Sequence, residues 1–99
     1  MYIENTYVGN VTILDTEEKA IYISKLFILK EYRNKGYGTQ ILKDIFISYG
    51  NKEGVSLHVD CENHKAFNLY KRLGFFIALI APAEGKIKKH YLMAKNLSV

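Results

Sequence analysis

"LFILKEYRNKGYGTQIL", residues 26–42, contains the change of period on which the fold turns. The segment that leads into it, "AIYISKLFILK" (20–30), is β-branched and aromatic, without glycine or proline. It reads as a long strand buried on much of both faces. Downstream, Tyr37, Ile41, Leu42, Ile45, Phe46 and Tyr49 recur at helical spacing as one apolar stripe, and Gly50 follows as a helix-ending glycine. Arg33, Lys35, Gly36 and Gly38 occupy the turn between strand and helix. The first turn of a helix has unpaired N–H groups and a partial positive charge. A glycine there lets another group approach the backbone without meeting a Cβ. The turn therefore reads either as a tight strand-to-helix connection or as a cradle for phosphate. It is not a dinucleotide fingerprint, because Ile41 stands where a third glycine is required. It is not a P-loop, because no Gly-Lys-Ser/Thr follows.

Before this stretch, Tyr7, Val8, Val11, Ile13 and Leu14 anchor an alternating segment with turn chemistry in "ENTYVGN", read as two short strands or one bent one. "DTEEK" (15–19) is a charged turn. After the stretch, "NKEG" is a turn and "VSLHVD" (55–60) alternates as a strand. "ENHKAFNLYKRLGF" is a helix capped by Glu62 or Asn63 and stopped by Gly74, with Ala66, Leu69, Tyr70 and Leu73 on its inner side. "FFIALIA" (75–81) is a strand, and "KIKKHYLMAKNL" reads as a final antiparallel strand. The order β-(β)-β-α-β-α-β-β defines a mixed α+β domain of the α/β type.

The 99 residues suffice for one small domain with a thin core. A surplus of 14 basic over 10 acidic residues, +4 in all, favours an anionic ligand without demanding nucleic acid. Aromatics follow core periodicity and no stacking motif appears, so a nucleic-acid partner is not expected. Cys61 is the one cysteine, which excludes an internal disulfide and fits a reducing compartment. No apolar run approaches the roughly 18 residues of a membrane span, and the N-terminus has no signal pattern. A cytoplasmic protein without a membrane partner is expected.

Two motifs in order carry a family resemblance. "LFILKEYRNKGYGTQIL" resembles the acetyl-CoA-binding motif of the GNAT family of N-acetyltransferases: Arg or Gln, two residues, Gly, one residue, Gly or Ala, between a strand and a helix. "NHKAFNLYKRLGF" resembles the same family's second motif through Asn63, Ala66, Leu69, Tyr70, Leu73, Gly74 and Phe75. The resemblance covers residues 7–96. It implies a mixed sheet whose strands at 20–30 and 55–60 run parallel and splay apart. It implies that the cofactor's pantetheine arm lies in that V along Leu26, Phe27 and Ile28. Its pyrophosphate would sit on the amides of Asn34, Lys35, Gly36, Tyr37, Gly38 and Thr39, with Arg33 at the entrance. Asn63 and Phe67 would contact the arm, and Tyr70 would serve as general acid for the departing thiolate. Backbone N–H groups near Phe27 and Ile28 are suited to polarising the thioester carbonyl.

The implied activity is direct transfer of an acetyl group from acetyl-CoA to a primary amine of unknown identity. The alternative is a cofactor-binding module that has lost catalysis. Two departures from the family pattern bear on this choice. The strand before the glycines carries Tyr22 and Ser24 but no carboxylate, so the general base is unassigned, with Ser24, Tyr22 or Asp60 as candidates to order a water. Almost nothing precedes Tyr7, so most of the usual N-terminal helical cover is absent from residues 1–99; a homodimer would suit the thin core and short cover. Cys61 with His58 and His64 imitates a Cys–His pair, but residues three apart on a strand face opposite ways and such a cysteine is usually just packed. His58, Asp60, Cys61 and His64 match no standard zinc spacing, and no metal is expected. His90 reads as a surface residue. Lys86, Lys88 and Lys89 read as a solvated strand face.

Overall fold

The computed structural model describes residues 1–15 and 19–97. The first five strands and the first helix are β1 (Tyr2–Ile3), β2 (Thr6–Tyr7), β3 (Gly9–Leu14), β4 (Ala20–Ile28), α1 (Tyr37–Ser48) and β5 (Gly54–Asp60). Helix α2 (His64–Arg72), β6 (Phe76–Ala81) and β7 (His90–Asn96) complete the chain. β1 and β2 form a two-residue-loop hairpin in which Glu4 and Asn5 both take positive φ, 50° and 69°. This is the backbone such a loop demands, and asparagine tolerates it well. The charged turn read over 15–19 falls mostly outside the described residues.

The remaining strands make one five-stranded sheet in the order β3-β4-β5-β7-β6, in which only β4 and β5 run parallel. Both helices pack on the same face. Ile41, Leu42 and Ile45 of α1 and Tyr70 of α2 share one core with Ile21, Ile23, Val55, Leu57, Val59 and Met93 of the sheet, closed by Phe75. Burying that many aliphatic side chains supplies most of the stabilisation, at roughly 1.5–3 kcal/mol for each fully buried side chain. The opposite face, which carries Tyr22, Ser24 and His58, has no helix over it among the described residues. β4 is therefore buried on one face, not on both as its composition suggests, because its alternate residues have no layer to pack against.

Several boundaries differ from the sequence reading. β4 ends at Ile28, where Leu29 donates its N–H to the Val8 carbonyl and Lys30–Tyr32 wind into a single 3₁₀ turn. Helix α1 ends just before Gly50, but Gly50 does not take positive φ; Tyr49 makes the cap. Gly74, by contrast, ends α2 with φ of 97°. Phe75 belongs to the core beneath Tyr70 and not to β6. The final strand begins only at His90; residues 82–89 form a loop with a single bridge between Glu84 and Ile87. No helix among the described residues is long and apolar enough to cross a membrane.

Candidate active site

A bulge creates the site. β4 pairs with β3 from Ile28 back to Tyr22, but Lys25 faces Thr12 while Ile23 faces Ile13, which leaves Ser24 as an extra residue. An inserted residue bends its strand and increases the local twist. On its other edge β4 runs parallel to β5 only over Ala20–Ile23, opposite Gly54–Leu57. From Ser24 onward the two strands part, and a cleft of about 270 Å³ opens between them. Lys25 and Leu26 line one side, His58 and Asp60 the other, and Asn63 and Tyr70 of α2 close the helix-bearing side. Along this reach the edge of β4 has no strand partner among the described residues. Such an edge accepts an extended chain bearing amides.

The glycine turn lies at the open end of β4. Arg33 donates from Nε to the Ile28 carbonyl at 2.9 Å, which ties the turn to the strand it follows. Asn34 adopts φ of 64° and Gly36, the N-cap of α1, φ of 86°. A Cβ at Gly36 would meet nothing, so the glycine is needed for its backbone conformation and not for space. A Cβ at Gly38 would only touch Leu69 Cδ2 at an ordinary 3.7 Å. The first intrahelical bond is donated by Gln40 to the Gly36 carbonyl, and no side chain caps the helix. The N–H groups of Tyr37, Gly38 and Thr39 thus point out of the first turn with the helix dipole behind them, an arrangement suited to a phosphate group.

Two groups with proton chemistry flank the cleft. On the helix-free face the Tyr22 hydroxyl lies 2.6 Å from His58 Nδ1, joining β4 to β5. The His58 ring also stacks edge-on against His90 of β7, with centroids 5.2 Å apart. Partial desolvation, and then repulsion from His90, hold the His58 imidazole below the ordinary histidine range. It is therefore neutral at pH 7 and able to accept a proton. On the helix-bearing side Tyr70 is nearly buried against Phe75, and burial pushes its phenol above the ordinary tyrosine value. Tyr70 stays protonated at neutral pH and is a hydrogen-bond donor more than an acid.

Of the site residues read from the sequence, Leu26, Asn63 and Tyr70 line the cleft. Phe27 and Ile28 continue the strand that carries Leu26, Arg33 through Gly36 form the turn beyond it, and Tyr37, Gly38 and Thr39 make the first turn of α1. Asn63 lines the cleft while its Oδ1 accepts from the Ala66 N–H at 3.2 Å, as the N-cap of α2. Phe67 goes elsewhere: its ring packs on Tyr91, 5.4 Å between centroids, and Ala66 takes the cleft-facing position on α2. Of the residues weighed as bases, Asp60 is engaged by the Glu62 N–H at 2.9 Å, and Ser24 makes only a long contact to the Thr12 carbonyl. Of these, only Tyr22 has a proton-accepting partner, His58. His58 in fact turns to Tyr22 and His90, and Cys61 engages Lys89 through its backbone. The signal for this pair was the parallel register of β4 and β5, which places Tyr22 opposite Ser56 and one same-face position from His58.

The chain belongs to the acetyltransferase (GNAT) family, whose model matches residues 1–75. It is 34% identical over 90 residues to an N-alpha-acetyltransferase of Sulfurisphaera tokodaii, covering 84% of this chain and 47% of that protein. In three dimensions it is similar to the ribosomal-protein-S18-alanine N-acetyltransferase of Escherichia coli, with a TM-score of 0.88 at 18% identity over 99% of this chain and 66% of that one. It is also similar to Arabidopsis thaliana Naa50 in complex with the bisubstrate analogue CoA-Ac-MVNAL, with a TM-score of 0.81 at 25% identity over 95% of this chain and 68% of that one. The chain thus spans about half the length of the Sulfurisphaera relative and about two-thirds of the two solved structures. The mixed fold with its splayed parallel pair is that of the family.

Proposed function

We propose that this chain transfers the acetyl group of acetyl-CoA to the α-amino group at the N-terminus of a polypeptide. The observation that carries the reading is the Tyr22–His58 pair on one side of the β4–β5 splay, with Tyr70 on the other. Acetyl-CoA supplies an activated acyl group as a thioester. The residues present fit it: an unpartnered β4 edge for the amide-bearing arm, and three outward N–H groups beside Arg33 and Lys35 for the diphosphate.

In this reading the acceptor approaches over the helix-free face, and its nitrogen bonds to the acyl carbon as the carbon–sulfur bond breaks. Tyr22 takes the amine proton, directly or through a water, as it passes its own to His58 Nδ1. Tyr70 donates a hydrogen bond toward the sulfur as negative charge develops there. A free thiol has a pKa near 8.5 and Tyr70 sits above 10, so full proton donation is uphill and charge stabilisation is its larger part.

The acceptor class follows from basicity. A histidine held below its ordinary range is a weak base. At pH 7 roughly one α-amine in ten is already neutral, against roughly one lysine side chain in 2,500, from their usual pKa values. A weak base suffices for the first and is poorly matched to the second. The uncovered sheet face also admits the end of a large acceptor. The Sulfurisphaera relative's name and the peptide-bearing analogue on Naa50 point the same way. With a single cysteine, the site of action is cytoplasmic in this reading.

Release of free coenzyme A tests it, using a peptide with a free N-terminus, the same peptide blocked at its N-terminus but carrying lysine, and a polyamine. Turnover with the first alone is expected. Preference for lysine or the polyamine overturns the acceptor assignment. Tight coenzyme A binding without thiol release from any amine indicates a binding module instead.

A further inference from the structure

The outer edge of β6 has a different character from the rest of the surface. β6 ends the sheet and pairs with β7 on one side only. Nine large hydrophobic residues are exposed among the described residues, and five of them lie here: Phe76, Ile77, Leu79 and Ile80 on β6, and Ile87 on the loop after it. Each keeps between 42% and 62% of its accessible surface. Neighbouring residues on a strand point to opposite faces, so both faces of β6 are apolar. The strand has no charged residue and no proline, the usual guards of a free edge; one bulged residue, Ala78, interrupts its pairing with β7. The other end of the sheet contrasts with it. On β3, exposed Asn10 and Thr12 alternate with more buried Val11 and Ile13, so water can solvate one side.

We propose that β6 pairs antiparallel with β6 of a second copy of this chain, across a two-fold axis, joining the two sheets into one. A helix or loop laid on β6 covers one face and leaves the other wet. A strand added to the edge flanks the side chains on both faces, and satisfies the free N–H and C=O groups as well. To match β6 it must itself be apolar on both faces and uncharged, and β6 meets that description. Antiparallel self-pairing makes the contact isologous, so it closes at two copies.

Area and charge agree with this occupant. Five half-exposed side chains leave on the order of 500 Å² of apolar surface per chain, the size of a typical protein's largest patch, which is often functional. Two copies together present about 1,000 Å² of such surface along the joined strands, comparable with the lower limit of a specific interface. Each chain carries +4, with Lys86, Lys88 and Lys89 on the loop after β6. Antiparallel pairing sends the two lysine loops to opposite ends of the paired strands, about 20 Å apart for six residues, beyond the screening length of roughly 8 Å at physiological salt.

Sedimentation velocity from low micromolar to several hundred micromolar protein tests the pairing, beside Leu79→Lys and hydrogen exchange of the unmodified chain. The wild type should be dimeric, and Leu79→Lys should raise the dissociation constant at least about tenfold with unchanged circular dichroism. Independently of any variant, β6 amides should be protected at high concentration and lose protection on dilution, while β3 amides do not change. A wild type that stays monomeric throughout overturns the proposal. So does a dimer insensitive to Leu79→Lys, or one whose protected amides lie away from β6.

Discussion

The Tyr22 hydroxyl and His58 Nδ1 stand 2.6 Å apart across two strands that are hydrogen-bonded on one side of this contact and separated on the other. The pair sits at the fork of the sheet, where the bulge at Ser24 turns β4 away from β5. Of the two, His58 lines the cleft, where the proposed relay would meet the acceptor. Tyr22→Phe and His58→Gln should each lower kcat by about 10²–10³-fold, with little change in KM for acetyl-CoA. The two effects should not add, because the residues act as one relay. Steady-state kinetics of both single variants and the double variant checks this; additive losses would mean that the residues act separately.

The pH dependence follows from the direction of the His58 shift. A free histidine titrates near 6.5, and desolvation with His90 nearby lowers that value in the folded chain. The base is then unprotonated at neutral pH, and kcat should fall only below pH 6.5, in a limb that His58→Gln lacks. Stability carries the same sign. The unfolded chain binds the His58 proton at higher pH than the folded chain does, so this contribution is intact above pH 6.5 and is lost as pH falls through the folded value. Urea midpoints at neutral and mildly acid pH should therefore drop more for wild type than for His58→Gln.

Tyr70 separates packing from chemistry. Its ring is part of the core, against Phe75, and the residue also lines the cleft. Tyr70→Phe keeps the ring, so stability should stay within about 1 kcal/mol while kcat falls by about tenfold or more. Tyr70→Ala removes the ring and should cost about 3–4 kcal/mol. Thermal melts beside turnover of the Phe variant tell the roles apart; a Phe variant with wild-type kcat would leave Tyr70 as packing alone.

Local chemistry was legible in the sequence and long-range register was not. The stripe from Tyr37 to Tyr49, the cap at Asn63 and the stop at Gly74 each depend on residues within a turn or two of one another, and the elements stand where those signals put them. The end of β4 depends on Val8, far upstream in the chain, whose carbonyl takes the Leu29 N–H and turns the backbone two residues early. The exposure of one face of β4 depends on both helices choosing the other, which no residue of β4 encodes. The Tyr22–His58 pair spans 36 positions and exists only because β4 and β5 are parallel neighbours in one particular register. Phe67 shows the converse: its helical spacing from Asn63 was right, but Tyr91 on β7 draws its ring out of the cleft.

The two glycines of the turn should behave differently, although the motif treats them alike. Gly36 holds φ of 86°, where an L-residue is strained, and no neighbour would clash with a Cβ. Gly36→Ala should therefore destabilise by about 1–2 kcal/mol through backbone strain alone. Gly38 lies in the first turn of α1 with φ outside the left-handed range, and its added Cβ makes only an ordinary contact with Leu69. Gly38→Ala should leave stability within about 0.5 kcal/mol, since alanine is the better helix former. Any penalty at Gly38 should appear only in coenzyme A binding, where a side chain crowds the outward amides. Denaturant melts with calorimetric titration of coenzyme A distinguish the cases. Equal destabilisation by both variants would mean that the turn is rigid for the chain's own sake and that Gly38 is not kept bare for a ligand.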